Sequence, residues 1–219
     1  EADTELPSGE SRARQILFGQ RFMQREFGRT SRVLWLPDSF GFSWTLPQLM
    51  RLGGLDSFST AILSHSRFSR FPHDTFRWRG LDGSEVLTQI VTTPAETGPS
   101  YSYIGRFEPF DIKGAWTNYR HKDLNDELLL PFGWGDGGGG PTAEMLEAGR
   151  ALRSVPGLPR VTIGPVEGFF ADLHQRLEGK DVPVWDGELY LESLRGTYTS
   201  QSRTKRANRL AEVLYHDAE

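Results

Sequence analysis

The run Arg32-Val33-Leu34-Trp35-Leu36, closed by Pro37, constrains this chain more than any other feature. Four consecutive apolar residues with no polar alternation read as a strand buried on both faces, and proline ends it because it has no N–H to give the ladder. Asp38 therefore stands just past a strand's C-terminal end. Upstream, Ala13, Ile16, Leu17, Phe18, Phe22, Met23 and Phe27 follow Ser8 at mostly three-to-four spacing and stop at Gly28. That pattern predicts a helix with a glycine stop. Downstream, a short helix over about 45–52, punctuated by Gly53-Gly54, leads to a second apolar segment at 58–63, which makes a β-α-β rhythm.

The rhythm continues. Strands are expected at 86–93, 127–131, 160–163 and 189–192, and helices at about 142–154 and 165–177. Alternation of this kind predicts an α/β domain with a mainly parallel sheet, open or rolled into a barrel, and functional residues then belong at the strands' C-terminal ends. Residues 94–126, rich in Gly, Pro, Ser and Tyr, read as a long surface loop of the lid or binding kind. From Ser202 onward Ala207, Leu210, Ala211, Leu214, Tyr215 and Ala218 form an amphipathic helix, expected to open a following helical domain.

Twenty-five Lys and Arg against 29 Asp and Glu give a formal charge of -4, which offers no electrostatic reason for a nucleic-acid or anionic-membrane partner. A neutral substrate fits better. Arg203, Lys205, Arg206 and Arg209 cluster on the last helical segment and read as a solvated face. With no cysteine, disulfides and thiolate zinc sites are excluded, any metal must use oxygen or imidazole ligands, and a reducing, cytoplasmic setting is allowed. No run of 18 apolar residues and no basic-then-apolar leader occurs. Lacking an initiator methionine, the chain is expected to be cut from something longer.

Asp136, in Leu128-Leu129-Leu130-Pro131-Phe132-Gly133-Trp134-Gly135-Asp136, repeats the arrangement of Asp38 after an apolar strand candidate. If the two strands are parallel neighbours, both carboxylates emerge at one face, the disposition that glycosidases use. An aspartate after a strand is also a common turn or cap residue, and that alternative stays open for each. The glycines 137–140 are read as a close-approach backbone turn rather than a phosphate cradle, because no lysine follows them and Thr142 is placed to cap the next helix. The five histidines, at 65, 73, 121, 174 and 216, show no ligand spacing, so no complete metal site is visible. Trp35, Phe40, Phe42, Trp44, Phe132 and Trp134 surround the two aspartates; such faces stack on sugar rings or fill a core.

Four long motifs, WLPDSFGFSWTLPQLMRLGG, FPHDTFRWRGLDGSEVLTQ, GWGDGGGGPT and GELYLESLRGTYTSQSRTKRANR, together with ELPSGESRARQILFGQRF, resemble family 38 glycoside hydrolases, the α-mannosidases of bacterial and cytosolic type. The resemblance implies an incomplete seven-stranded barrel-like catalytic domain over 1–201, with 202–219 starting a helical middle domain. It implies a retaining exo-α-mannosidase acting on terminal α-mannosides of oligosaccharides, with one zinc ion, a cytoplasmic location and self-association of the parent left open. Carried over residue by residue, Asp38 of LPDSFG matches the nucleophile, which also ligates zinc, and Asp136 of GDGGGG matches the acid/base. Phe40, Trp134 and Tyr198 are the expected substrate contacts.

Three departures follow from the same resemblance. The family's His-x-Asp and His-His-Asp zinc ligands are not in this chain, so the chain alone is expected to be metal-poor and inactive. Residues 61–66 replace a TQKLSWN-like stretch, and Leu194 stands where a histidine is usual. These changes keep a second expectation alive: a degenerate, sugar-binding domain of the same fold. Missing barrel strands would also expose sheet edges and promote association.

Overall fold

A computed structural model of the chain describes residues 2–66, 68–92, 94, 103–105 and 107–219. Helix α1 (Gly9–Phe27) starts where the Ser8 side chain accepts the Ser11 N–H and ends at Gly28, left-handed at φ 69, whose N–H reaches Gln24 O. Strand β1 (Val33–Trp35) follows, then β2 (Gly41–Phe42), α2 (Leu46–Leu52) and β3 (Ser57–Thr60). Strands β4 (Thr75–Arg79) and β5 (Glu85–Ile90) form a hairpin, and helices α3 (Pro109–Asn118), α4 (Ala143–Ala151) and α5 (Val166–Arg176) come after it. Strands β6 (Val184–Asp186) and β7 (Leu189–Tyr190) and helix α6 (Ser202–Ala218) complete the order.

Five strands make one sheet in the order β1-β3-β5-β4-β6, and β2 pairs with β7 in a separate antiparallel ribbon. Within the larger sheet β1/β3, β3/β5 and β4/β6 are parallel, and β4/β5 is antiparallel. The fold is mixed α/β. Alternate side chains leave the sheet in opposite directions. Leu34, Phe58, Phe76, Trp78, Val86 and Ile90 join Leu46 and Met50 of α2 in one apolar cluster. Val33 and Leu87 point the other way, into Phe169, Phe170, Leu173 and Leu177 on and just beyond α5. Phe58, Phe76 and Trp78 are fully buried, and each contributes about 1.5–3 kcal/mol or more by leaving water.

Several expectations are corrected. Residues 127–131 and 160–163 form no strand; an isolated bridge between Gly105 and Phe132 follows directly after the first. The stretch read as one long loop contains α3, and 95–102, near the start of that stretch, lies outside the described residues. Helix α3 is docked by polar contacts that apolar periodicity cannot reveal. Tyr119, its C-cap, donates to Thr75 Oγ1 at 2.6 Å, and Thr75 donates to Gln89 Oε1 at 2.6 Å. Beside them the buried Asp74 carboxylate accepts from the Arg120 backbone and guanidinium at 2.9 and 3.1 Å. Helix α1 forms as expected, yet Leu17, Phe18, Phe22 and Phe27 on it are exposed, and only Ile16 packs on the core.

A pH dependence follows. Burial holds His73, His121 and His174 below the ordinary histidine value, even though Asp74 or Asp56 beside them pulls the other way. Each keeps its neutral form to lower pH when folded, while the unfolded chain takes up the protons first as pH falls. The stability they contribute is thus fully present above the ordinary value of 6.5 and lost as pH falls below it. Melting temperature should decline on acidification from about pH 7.5 to 5.5, and the slope should flatten in His174→Gln and His121→Gln proteins. A flat wild-type profile over that range contradicts this.

Candidate active site

Asp38 is positioned by the β1/β3 ladder, which runs past the strand ends: Leu36 N–H reaches Ser59 O at 3.1 Å and Ala61 N–H reaches Pro37 O at 3.0 Å. On its other side the chain enters β2, where Leu191 N–H bonds Phe40 O at 2.9 Å. Asp38 therefore leaves a backbone pinned on both sides, at the C-terminal edge of the parallel strands. The carboxyl is half-buried. Burial raises it above the ordinary carboxylate value, the nearby charge of Asp136 adds to the rise, and Tyr103 and His65 oppose it. His65 ends the 3-10 turn Ile62–His65 that follows β3.

Asp136 arrives by another route than the expected parallel strand. Gly105 N–H bonds Pro131 O at 2.9 Å and Gly133 N–H bonds Gly105 O at 3.4 Å, which lays 131–133 along the segment after β5. The Phe107 and Phe132 rings pack at 4.3 Å across this bridge. A tight turn follows, closed by Gly138 N–H to Gly135 O at 2.8 Å, with Asp136 at φ 52 and Gly137 at φ 80. Two left-handed central residues are the mark of a type I′ turn, which favours Asp-Gly. Asp136 is exposed.

Tyr103 joins the two aspartates. Its hydroxyl lies 3.2 Å from Asp38 Oδ2 and 3.2 Å from Asp136 Oδ1. Those two carboxylate oxygens are consequently no more than about 6.4 Å apart. A phenol has one hydrogen and donates to one carboxylate at a time. Both contacts are hydrogen bonds only when one carboxyl carries a proton and donates to the phenol oxygen. Burial and the two carboxylates push the Tyr103 phenol well above its ordinary value, so it stays a donor. No motif around Tyr103 drew attention to it; only the 105–132 bridge reveals its place.

Of the other candidates, Phe40 is half-buried against the core and Trp134, two residues before Asp136, is exposed. Tyr198 sits elsewhere around Asp38's segment, its hydroxyl against Gly41 and near Glu5, and burial with the Glu5 charge pushes it up to about 12. A Ser-His-Asp trio also occurs, with Ser57 Oγ 3.0 Å from His174 Nε2 and 2.8 Å from Asp56 Oδ1. Asp56 and Ser57 both address the same ring nitrogen, so the imidazole cannot relay a proton between them, and Ser57 is buried at the opposite end of β3. A cavity of about 370 Å³, lined by Thr4, Arg12, Ile16, Leu34, Leu36 and Glu212, contains neither Asp38 nor Asp136. Among the described residues no three His, Cys, Asp or Glu side chains stand together to hold a metal, so the residues in hand do not by themselves fit a zinc ion.

Residues 1–188 match the family model described as the glycosyl hydrolases family 38 N-terminal domain. The chain belongs to family 38 of the glycosyl hydrolases. It is 44% identical over 226 residues to an alpha-mannosidase of Saccharomyces cerevisiae, covering 100% of this chain and 20% of that protein. It is 43% identical to alpha-mannosidase G of Dictyostelium discoideum and 41% identical to human alpha-mannosidase 2C1, over 100% of this chain and 19% and 20% of theirs. The family 38 chain thus spans about a fifth of the length of these curated relatives. Its fold is similar to a crystal structure of an alpha-mannosidase from Enterococcus faecalis V583, with a TM-score of 0.60, 19% identity, and 85% of this chain and 21% of that one covered.

The turn gives Asp136 a conformational requirement separate from its carboxylate. Asp136→Ala places an ordinary β-carbon residue at φ 52 and should lower stability by about 1 kcal/mol, whereas Asp136→Asn should melt with the wild type. Thermal unfolding of both variants checks this, and equal melting temperatures for all three proteins would count against it.

Proposed function

We propose that the chain provides the carboxylate pair of a retaining α-mannosidase that hydrolyses terminal α-mannosides of oligosaccharides. The observation that carries the reading is the Tyr103 hydroxyl held 3.2 Å from both Asp38 and Asp136. Three oxygens gathered this way can accommodate one carboxyl proton between them, and a retaining glycosidase needs one ionised and one protonated carboxyl. Family membership supports the reaction class, and the α-mannosidase names of its relatives support the sugar.

Ionised Asp38 attacks the anomeric carbon while protonated Asp136 delivers its proton to the departing glycosidic oxygen. A covalent mannosyl ester on Asp38 results. Asp136, now a carboxylate, takes a proton from water as that water attacks the same carbon, and Asp38 leaves as a carboxylate. Tyr103 orients both groups through the bonds already described. Phe40, Trp134 and Tyr198 are the proposed sugar contacts. Asp38 is also this chain's proposed contribution to a zinc ion whose other ligands the resemblance assigns to segments outside 1–219.

The same reading takes 1–201 as part of a seven-stranded barrel-like catalytic domain and 202–219 as the first helix of a helical domain, in a cytoplasmic protein. Helix α6 has no buried residue, which suits an element whose apolar stripe belongs to a different packing unit.

The test assays the full-length protein and its Asp38→Asn, Asp136→Asn and Tyr103→Phe variants, in zinc-containing buffer, on an aryl α-mannoside. Asp38→Asn should lose activity by orders of magnitude and Asp136→Asn by about 10²–10⁴-fold. Tyr103→Phe should lose about tenfold or more in kcat. A folded wild type with no activity on any α-mannoside would sink the proposal and leave sugar binding without catalysis.

A further inference from the structure

Gly135 begins the turn that carries Asp136, and its backbone is not in the left-handed region, so backbone freedom does not account for a glycine here. Space does. A β-carbon at this position would stand 2.7 Å from Tyr103 Cε2 and 3.5 Å from Tyr103 Cδ2, and 2.5 Å from Ile104 Cγ2. Carbon atoms rest at about 3.5–4.0 Å, so a single methyl group would have to push the phenol ring away. The ring has little slack to give. Its hydroxyl contacts to Asp38 and Asp136, at 3.2 Å each, are already longer than the usual ~2.5–3.0 Å of O–H···O bonds, so an outward shift breaks one of them.

We infer that Gly135 is a positioning residue for the reaction: its missing side chain is the seat of the Tyr103 ring, and the seated ring fixes the hydroxyl between Asp38 and Asp136. The inference rests on the proposed roles of those two aspartates. Neighbouring glycines do different work. Gly137 supplies the second left-handed position of the turn, and Gly105 lets its segment lie against Pro131, where a β-carbon would meet the carbonyl oxygen at 2.9 Å. Gly135 alone touches the phenol through the space it leaves. The Gly-Asp order at 135–136 thus couples two requirements: a turn that presents the carboxylate, and a gap that admits its partner.

The test combines a double-mutant cycle with crystallography on the full-length protein. Wild type, Gly135→Ala, Tyr103→Phe and the double variant are compared for kcat and KM on an aryl α-mannoside, with melting temperatures alongside. Gly135→Ala should lower kcat by roughly 10- to 100-fold with KM within about twofold. The double variant should be no slower than Tyr103→Phe, because the glycine acts through the hydroxyl that the phenylalanine lacks. Crystals of Gly135→Ala should show the Tyr103 hydroxyl moved beyond hydrogen-bond distance from at least one aspartate.

Multiplying losses in the double variant, a change in KM alone, a Tyr103 ring that stays in place, or a Gly135→Ala protein that fails to fold would each overturn the inference. A wild type inactive on every α-mannoside removes the reaction and this role with it. That outcome is distinguishable, since in the others the wild type turns over.

Discussion

The parallel pairing of β1 with β3 and of β3 with β5 is the constraint on which the site depends. Both faces of these strands are covered, by α2 and its neighbours on one side and α5 on the other. A slip of one residue would send Val33 and Leu34 to the wrong layers, so the register is fixed by burial on two sides at once. Because the strands run the same way, their C-terminal ends finish at one edge. Asp38, His65 and the residues directly after β5 all leave from that edge. The antiparallel β4 brings its own start to the same place, and Asp74 there fastens Arg120 beside the end of α3.

What the sheet does for Asp38, loops do for its partners. Tyr103 and Asp136 meet because Gly105 and Phe132 form a bridge, and the pair of rings at 107 and 132 covers it. The resulting pair is unequal in solvent: Asp38 is half-buried and Asp136 is exposed. Burial disfavours the charged form, so by solvation alone the shared proton would sit on Asp38, against the roles proposed. Tyr103 and His65 act in the opposite sense. Positive charge placed beside Asp38 would act with them, and the zinc contact proposed for that carboxylate would supply it.

The parts of this arrangement legible in the sequence are those set by apolar periodicity. The strand before Asp38, helices α1, α2, α4 and α5, and the final helix all follow from spacing and caps, and they stand where spacing puts them. Strand β4 carries the alternation of Phe76 and Trp78 with Arg77 and Arg79 that marks a half-buried strand, although the expected strands do not include it. Leu128-Leu129-Leu130 misled in the other direction. Their run is apolar, but Pro131 and the glycines beyond allow only a single bridge, and Leu129 serves the α5 cluster from irregular backbone. Tyr103 was illegible for a deeper reason: its partners lie 65 and 33 positions away, and no local pattern records such a contact.

Two apolar faces stay outside the core. Phe18, Phe22 and Phe27 on α1, and Leu210, Leu214 and Tyr215 on α6, are exposed, and neither helix has a fully buried residue. What ties them together is polar. Glu212 accepts from Ser8 N–H at 3.0 Å and Ser11 Oγ at 2.8 Å, Arg209 donates to Leu6 O at 2.9 Å, and Arg14 meets Glu219 at the surface. Exposed ion pairs contribute about 0–1 kcal/mol each, less than one well-buried leucine or phenylalanine. Such contacts fix where α6 lies better than they hold it there. The 370 Å³ cavity lined by both helices, beside β1, is the packing counterpart of that imbalance. The sheet and its carboxylate edge are therefore built on burial, whereas the contact of α6 with α1 is built on hydrogen bonds.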